Sequence, residues 1–99
     1  MRVIAKRTLR AFWQQTPHRN AEVPLLAWHR EARLARWTSP ADVKAQYGTA
    51  SVLKDGRMVF NIGGNKYRLV VWINYRRGTV YVRFVGTHRA YDEIDAETI

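Results

Sequence analysis

The spacing of apolar residues in this 99-residue chain changes once, near Gly48. Before that point Leu9, Phe12 and Trp13, then Leu25, Trp28, Ala32 and Ala35, recur at helical intervals. After it, apolar and polar residues alternate. A chain that places helices first and strands afterwards has few ways to bury both. The strands must pair largely antiparallel, and the helices must cover one face of the resulting sheet, so the fold class is α+β.

Punctuation residues divide the chain further. Arg2-Val3-Ile4-Ala5 reads as a short first strand, adding a mixed element to the sheet. A helix follows over roughly Lys6 to Gln15 and stops at Thr16-Pro17, because the residue before proline is pushed out of helical geometry. A second helix is expected from about Ala21 to Arg36, with Asn20 as its N-cap, Pro24 in its first turn and Arg30, Arg33 and Arg36 on its wet side. Ser39-Pro40-Ala41-Asp42 has the form of a helix start, with Ser39 as cap, and this third helix should end by Gly48. Ser51-Val52-Leu53 and Met58 to Ile62 form a hairpin through Asp55-Gly56. Gly63-Gly64-Asn65 turns the chain into a strand from Lys66 to Asn74, and Arg76-Arg77-Gly78 into another from Thr79 to Val85. Tyr67, Leu69, Val71 and Ile73 should face the core; Lys66, Arg68, Val70 and Trp72 take the other face. A chain of this length, without a linker or repeat, is expected to form one domain over residues 1–99.

Seventeen Lys and Arg stand against eight Asp and Glu, for a net charge of +9 and a pI near 10.7. Thirteen of the cations are Arg, whose planar fork pairs bidentately with phosphate. Such a balance points to a nucleic acid or another polyanion. The absence of cysteine excludes disulfides and thiolate metal sites and fits a reducing compartment. There is no apolar run of membrane-spanning length and no signal-peptide core, so a soluble cytoplasmic protein without membrane attachment is expected. No His-x-x-x-His, acidic ligand cluster or Walker-type loop occurs, and the expectation is a protein without metal or cofactor.

The candidate site lies where the last two strands converge. Arg68 is the first choice for a phosphate contact, with Lys66 and Arg83 as further cations. Each taken alone reads equally well as a basic side chain snorkelling over an apolar sheet face. Asn61 and Arg89 are further RNA-contact candidates. His88 is the natural proton-transfer group, since an imidazole's ordinary pKa is about 6.5. His18 and His29 read as surface histidines. Strict alternation puts His88 on the core side with Val82 and Phe84, so a bulge or turn at Gly86-Thr87 is expected to reverse it. Tyr91 could stack on a base or donate a proton, or simply seal the core. Asp92 could orient His88 or cap a helical turn. Asn65 reads as a turn residue, and Asp92, Glu93, Asp95 and Glu97 as a solvated tail.

RNA can be cut by such a set without a metal: the 2′-hydroxyl attacks the adjacent phosphorus, and the protein moves two protons and neutralises charge. His88 would serve as one proton-transfer group, Lys66 or Tyr91 as a weaker second, and Arg68 would hold the phosphate. One good imidazole is a sparse set for a free-standing ribonuclease, so something else must help align the RNA. The alternative is a non-catalytic RNA- or DNA-binding module using the same basic sheet.

Met1 to Leu9, Pro24 to Trp28, Thr38 to Lys44, Gly64-Asn65-Lys66-Tyr67-Arg68-Leu69-Val70, Phe84-Val85-Gly86-Thr87-His88-Arg89-Ala90-Tyr91-Asp92 and Ile94 to Ile99 together carry a likeness in order and spacing. Across nearly its full length the chain resembles the HigB toxins of bacterial type II toxin–antitoxin systems, within the RelE-like superfamily. The resemblance implies a RelE-like fold and an mRNA interferase acting on translated messages in the ribosomal A site. It also implies a HigA-type helix-turn-helix antitoxin as partner. Under that resemblance Arg68 matches the phosphate-binding strand arginine, and Gly86 to Tyr91 the acid–base and base-stacking region.

Overall fold

In the computed structural model, which describes residues 1–99, the chain runs β1 (Arg2–Ile4), α1 (Lys6–Trp13), a 3₁₀ segment (Thr16–Ala21), α2 (Glu22–Leu34), α3 (Pro40–Gln46), β2 (Ser51–Val52), β3 (Arg57–Ile62), β4 (Tyr67–Asn74), β5 (Thr79–Thr87) and α4 (His88–Tyr91). The five strands form one sheet in the order β1-β5-β4-β3-β2. Strands β2 to β5 form an antiparallel meander, and β1 pairs parallel to β5, with Arg2 opposite Thr79. In the turn between β2 and β3, Asp55 and Gly56 both take positive φ, 59° and 80°, the left-handed pair that suits the twist of the flanking strands. A Cβ on Gly56 would lie 2.9 Å from the Ile73 carbonyl, so only glycine fits.

One sheet face carries the main core. Leu9, Phe12 and Trp13 of α1 and Leu25, Trp28 and Ala32 of α2 pack on Met58, Phe60, Ile62, Tyr67, Leu69, Val71, Ile73 and Val80. Phe60 is the hub: Trp28 meets it edge-on at 5.4 Å, Tyr47 at 5.1 Å, and Trp37 stacks at 6.2 Å. The Met1 ammonium donates to the carbonyls of Ala32, Arg33 and Ala35, tying the start of β1 to the end of α2. No helix is long and apolar enough to cross a membrane.

Several local expectations are corrected. Helix α2 starts at Glu22 and ends at Leu34, inside the expected bounds at both ends, because residues 16–21 wind as a 3₁₀ segment and Ala35 is already extended, at φ −72° and ψ 155°. Asn20 is not the N-cap; its side-chain oxygen accepts the Tyr67 hydroxyl across the core edge. His29 is not at the surface but 8 % exposed. Burial, then the neighbouring Lys6 and Arg33, lower its pKa. His18 stacks flat on Phe12 at 4.4 Å.

Ser39 occupies the N-cap of α3 but makes no side-chain cap bond. Asp42 supplies the polar contact there, its carboxylate accepting from the Thr38 amide and hydroxyl, both at 2.8 Å. These bonds hold the Asp42 pKa below its ordinary 3.8. A carboxylate with a depressed folded-state pKa adds stability above its unfolded pKa, and that stability is lost as pH falls through the folded value. Asp42→Asn should therefore lower the melting temperature slightly at neutral pH. The gap to the wild type should close as the pH is taken well below 3.8. A gap that persists in strong acid would mean that the carboxylate's charge is not what matters.

The opposite sheet face is not left to solvent. Val59, Val70 and Ala96 are buried there, with Leu53, Phe84, Tyr91, Ile94 and Ile99 packed around them. The segment after α4 thus folds back over β3–β5 instead of trailing as a solvated tail. Its four acidic side chains do remain exposed, and Glu97 pairs with Lys54 at 3.3 Å. Apolar contact explains the docking: fully burying an aliphatic side chain contributes about 1.5–3 kcal/mol, far more than an exposed ion pair does.

Candidate active site

The site is assembled from three pieces of chain at one end of β4 and β5. Arg68 stands opposite Gly86 on β5 and Asn61 on β3. Its Nη1 donates to the Asn65 side-chain oxygen at 2.7 Å. Its guanidinium carbon lies 5.8 Å from the centre of the Tyr91 ring, a distance at which cation and π-face attract. The arginine is therefore held from both sides, by a turn residue and by an aromatic of α4. A pre-set guanidinium loses less freedom on gripping a phosphate than one that must first be ordered.

His88 reaches the same end by a route different from the expected one. The break in alternation falls at Arg83, where Val70 pairs with Phe84 but Val71 with Val82. The extra residue shifts the phase, so Phe84 leaves the core side and lies with Arg68 and Val70. The strand then runs regularly through Gly86 and Thr87. The Phe84 ring covers Gly86 so closely that a Cβ there would sit 2.5 Å from it. Thr87 ends the strand and caps α4, its Oγ1 accepting the Ala90 amide at 3.1 Å, and His88 is the first helical residue.

The His88 amide donates to the Lys66 carbonyl at 3.2 Å, tying the start of α4 to the start of β4. The His88 Nδ1 lies 3.3 Å from an Asp92 carboxylate oxygen one turn on, and the imidazole side chain is 45 % exposed. A carboxylate at Nδ1 can accept its proton and so orient the ring. Chemically, the cluster offers a positioned cation, an aromatic face and an accessible imidazole with an orienting carboxylate.

The other candidates fall as follows. Lys66 is the last residue of the turn, just before β4, and is exposed; Arg89 is exposed on α4. Asn61 is half-buried, and its amide donates to the Thr49 carbonyl at 3.2 Å. Arg83 does not join the Arg68–Tyr91 contact: its Nε donates to the main-chain oxygen of Ile99 at 3.3 Å, beside Arg57, which donates to the same atom at 2.6 Å. Sequence reasoning missed the roles of Asn65, Arg57 and Phe84. Asn65 was the one within reach, since it stands three residues before Arg68. A surface depression lined by Trp13, Gln14, Arg19 and Glu22 contains none of the candidates; a polymer-binding face need not be a cavity.

A helix-backed mixed sheet, basic overall, with arginine, tyrosine and histidine gathered where its last two long strands end, has the form of a RelE-like toxin domain. The family model described as HigB toxin, the RelE-like toxic component of a toxin–antitoxin system, matches residues 21–94. The chain belongs to the HigB toxin family. It is 29% identical over 94 residues to the mRNA interferase toxin HigB of Escherichia coli (strain K12), covering 93% of this chain and 88% of that protein. The mRNA interferases HigB of Escherichia coli O157:H7 and Shigella flexneri match with the same figures.

Proposed function

We propose that this toxin is an endoribonuclease that cuts translated messenger RNA in the ribosomal A site, arresting translation and growth, and that it does so without a metal ion or cofactor. Its partners are then the message, the ribosome and a HigA-type helix-turn-helix antitoxin, and its place of action is the cytoplasm. The observation that carries the reading is that Arg68 lies over the ring of Tyr91, on the short helix that His88 begins, with Lys66 tied to that helix through the His88 amide. Membership of a family of toxic components and relatives named mRNA interferases support it.

In this reading Arg68 grips the scissile phosphate and offsets the charge that grows on it. The 2′-hydroxyl of the preceding ribose attacks phosphorus, giving up its proton to a base. The bond to the 5′-oxygen breaks as an acid returns a proton to it, leaving a 2′,3′-cyclic phosphate and a 5′-hydroxyl. His88, oriented by Asp92, is one proton-transfer group, and Lys66 or Tyr91 the other. The Tyr91 face also serves to stack a base, while Asn61, Arg83 and Arg89 extend contact along the RNA. A single well-placed imidazole is little for an efficient nuclease, which is why the ribosome is assigned the task of holding the message in line.

Induced expression with mapping of new 5′ ends tests the whole reading: cuts should appear in frame within translated messages and vanish when translation initiation is blocked. Intact messages in growth-arrested cells would sink it. In vitro, cleavage on programmed ribosomes should survive a chelator once ribosome integrity is controlled for. Arg68→Ala should weaken RNA binding and reduce its salt dependence by about one phosphate's share, a slope change of roughly 0.7 for single strands. An unchanged slope would remove Arg68 from the backbone contact.

A further inference from the structure

Helix α2 buries Leu25, Trp28, His29 and Ala32 against the sheet. Its outer side is unusual. Val23 is 77 % exposed and Leu34 78 %, and these are two of only three large apolar side chains left exposed in the chain. They do not lie at random. Val23, Ala27, Arg30 and Leu34 follow one another at intervals of four, three and four residues, all exposed. That spacing lines them up along a single stripe over three helical turns. It is also the spacing by which one helix seats another.

We infer that this stripe is a docking site for an amphipathic, acidic helix of the antitoxin, with Val23, Ala27 and Leu34 as the apolar seam and Arg30 as the charged register point. The inference rests on the toxin–antitoxin reading and identifies the surface that meets the partner. Charge decides the occupant. Arg30 sits in the middle of the seam, with Arg33 along one edge and Glu31, which accepts the Tyr47 hydroxyl, along the other, on a chain whose net charge is +9. A second copy of this chain would bring like charges together around the seam, which is destabilising. A partner helix with a carboxylate opposite Arg30 and aliphatic residues on either side satisfies both features at once. RNA would use the arginines but leave Val23 and Leu34 without an apolar partner. A three-turn stripe is smaller than a stable interface needs, so it forms one anchor within a larger footprint.

The test uses the full-length toxin and the antitoxin of its own operon. Val23→Glu combined with Leu34→Glu should leave growth arrest unchanged, because neither residue belongs to the Arg68–His88 cluster and both are already in water. Affinity for the purified antitoxin should fall by roughly 100-fold, as for loss of central anchors, and rescue by co-expression should fail. Arg30→Glu should weaken binding while Arg30→Lys keeps most of it. Unchanged affinity and full rescue with the double variant would overturn the inference. So would a wild-type toxin that dimerises alone and turns monomeric in the variant, which would give the stripe to a second copy, or a loss confined to ribosome binding, which would give it to RNA. The binding arm does not depend on cleavage. A wild type that grips its antitoxin through the stripe but cuts no message would support the docking site and overturn the functional reading.

Discussion

His88→Ala should lower message cleavage by about 10²–10⁴, the usual contribution of a positioned acid–base group, while leaving ribosome and RNA affinity nearly unchanged. The substitution should not disturb folding. The imidazole is nearly half exposed, and its contact with Asp92 is an exposed pair within one helical turn, for which about 1 kcal/mol is an upper value. The Arg68–Asn65 bond and the Arg68–Tyr91 contact involve no His88 atoms. Asp92→Asn should give a smaller loss, because it removes the orienting charge but not the ring. Single-turnover cleavage on programmed ribosomes, beside a binding measurement, separates the cases. If His88→Ala still cuts at the wild-type rate, the imidazole is structural and the proton-transfer group lies elsewhere.

Trp28→Ala should destabilise the fold by about 3–5 kcal/mol, the range for removing a large aromatic from a packed core. Trp28 is 2 % exposed and abuts Phe60, which also supports Tyr47 and Trp37. Truncation would therefore open a hole where α2, β3 and the residues around α3 meet. Against a total of about 5–15 kcal/mol for a domain of ordinary stability, this is enough to make folding marginal. One term works the other way: the indole Nε1 is buried without a protein acceptor, an arrangement that costs about 1–3 kcal/mol. Trp28→Phe should accordingly lose much less than Trp28→Ala. Urea denaturation of both variants would check this, and a Trp28→Ala loss below about 1 kcal/mol would mean that Phe60 is not the hub it appears from the packing.

The layout was legible because period and punctuation agreed. Asp55-Gly56 could hardly be anything but a tight hairpin, and the alternation from Tyr67 to Ile73 named the core face correctly. Legibility failed where polarity gave no contrast. Val82, Phe84 and Val85 are all apolar, since both sheet faces are covered at that end, so nothing in the pattern marked the extra residue at Arg83. For the same reason the acids after Tyr91 hid the Ile94, Ala96 and Ile99 contacts that fold the segment back. Asn20 and His29 were misread because their settings depend on tertiary partners, Tyr67 for the first and the packed sheet for the second. Within the site, residue types pointed to Arg68 and His88. Asp92 was also named as a possible orienting group for His88, but the choice between that role and a cap, and the turn by which Asn65 reaches Arg68, depended on the backbone.

The parallel pairing of β1 with β5 has a consequence for how the molecule is born. Strand β5 lies between the first strand and β4, yet it follows both of them in the chain. Until it emerges, β1 has no neighbour, β4 lacks one side, and the short helix bearing the imidazole does not yet exist. Such long-range closure is slow compared with local helix formation. The contact of Arg68 with Tyr91 and the turn of helix that carries His88 therefore form only after β5 has emerged, so this toxin's sheet closes in one late step and not strand by strand.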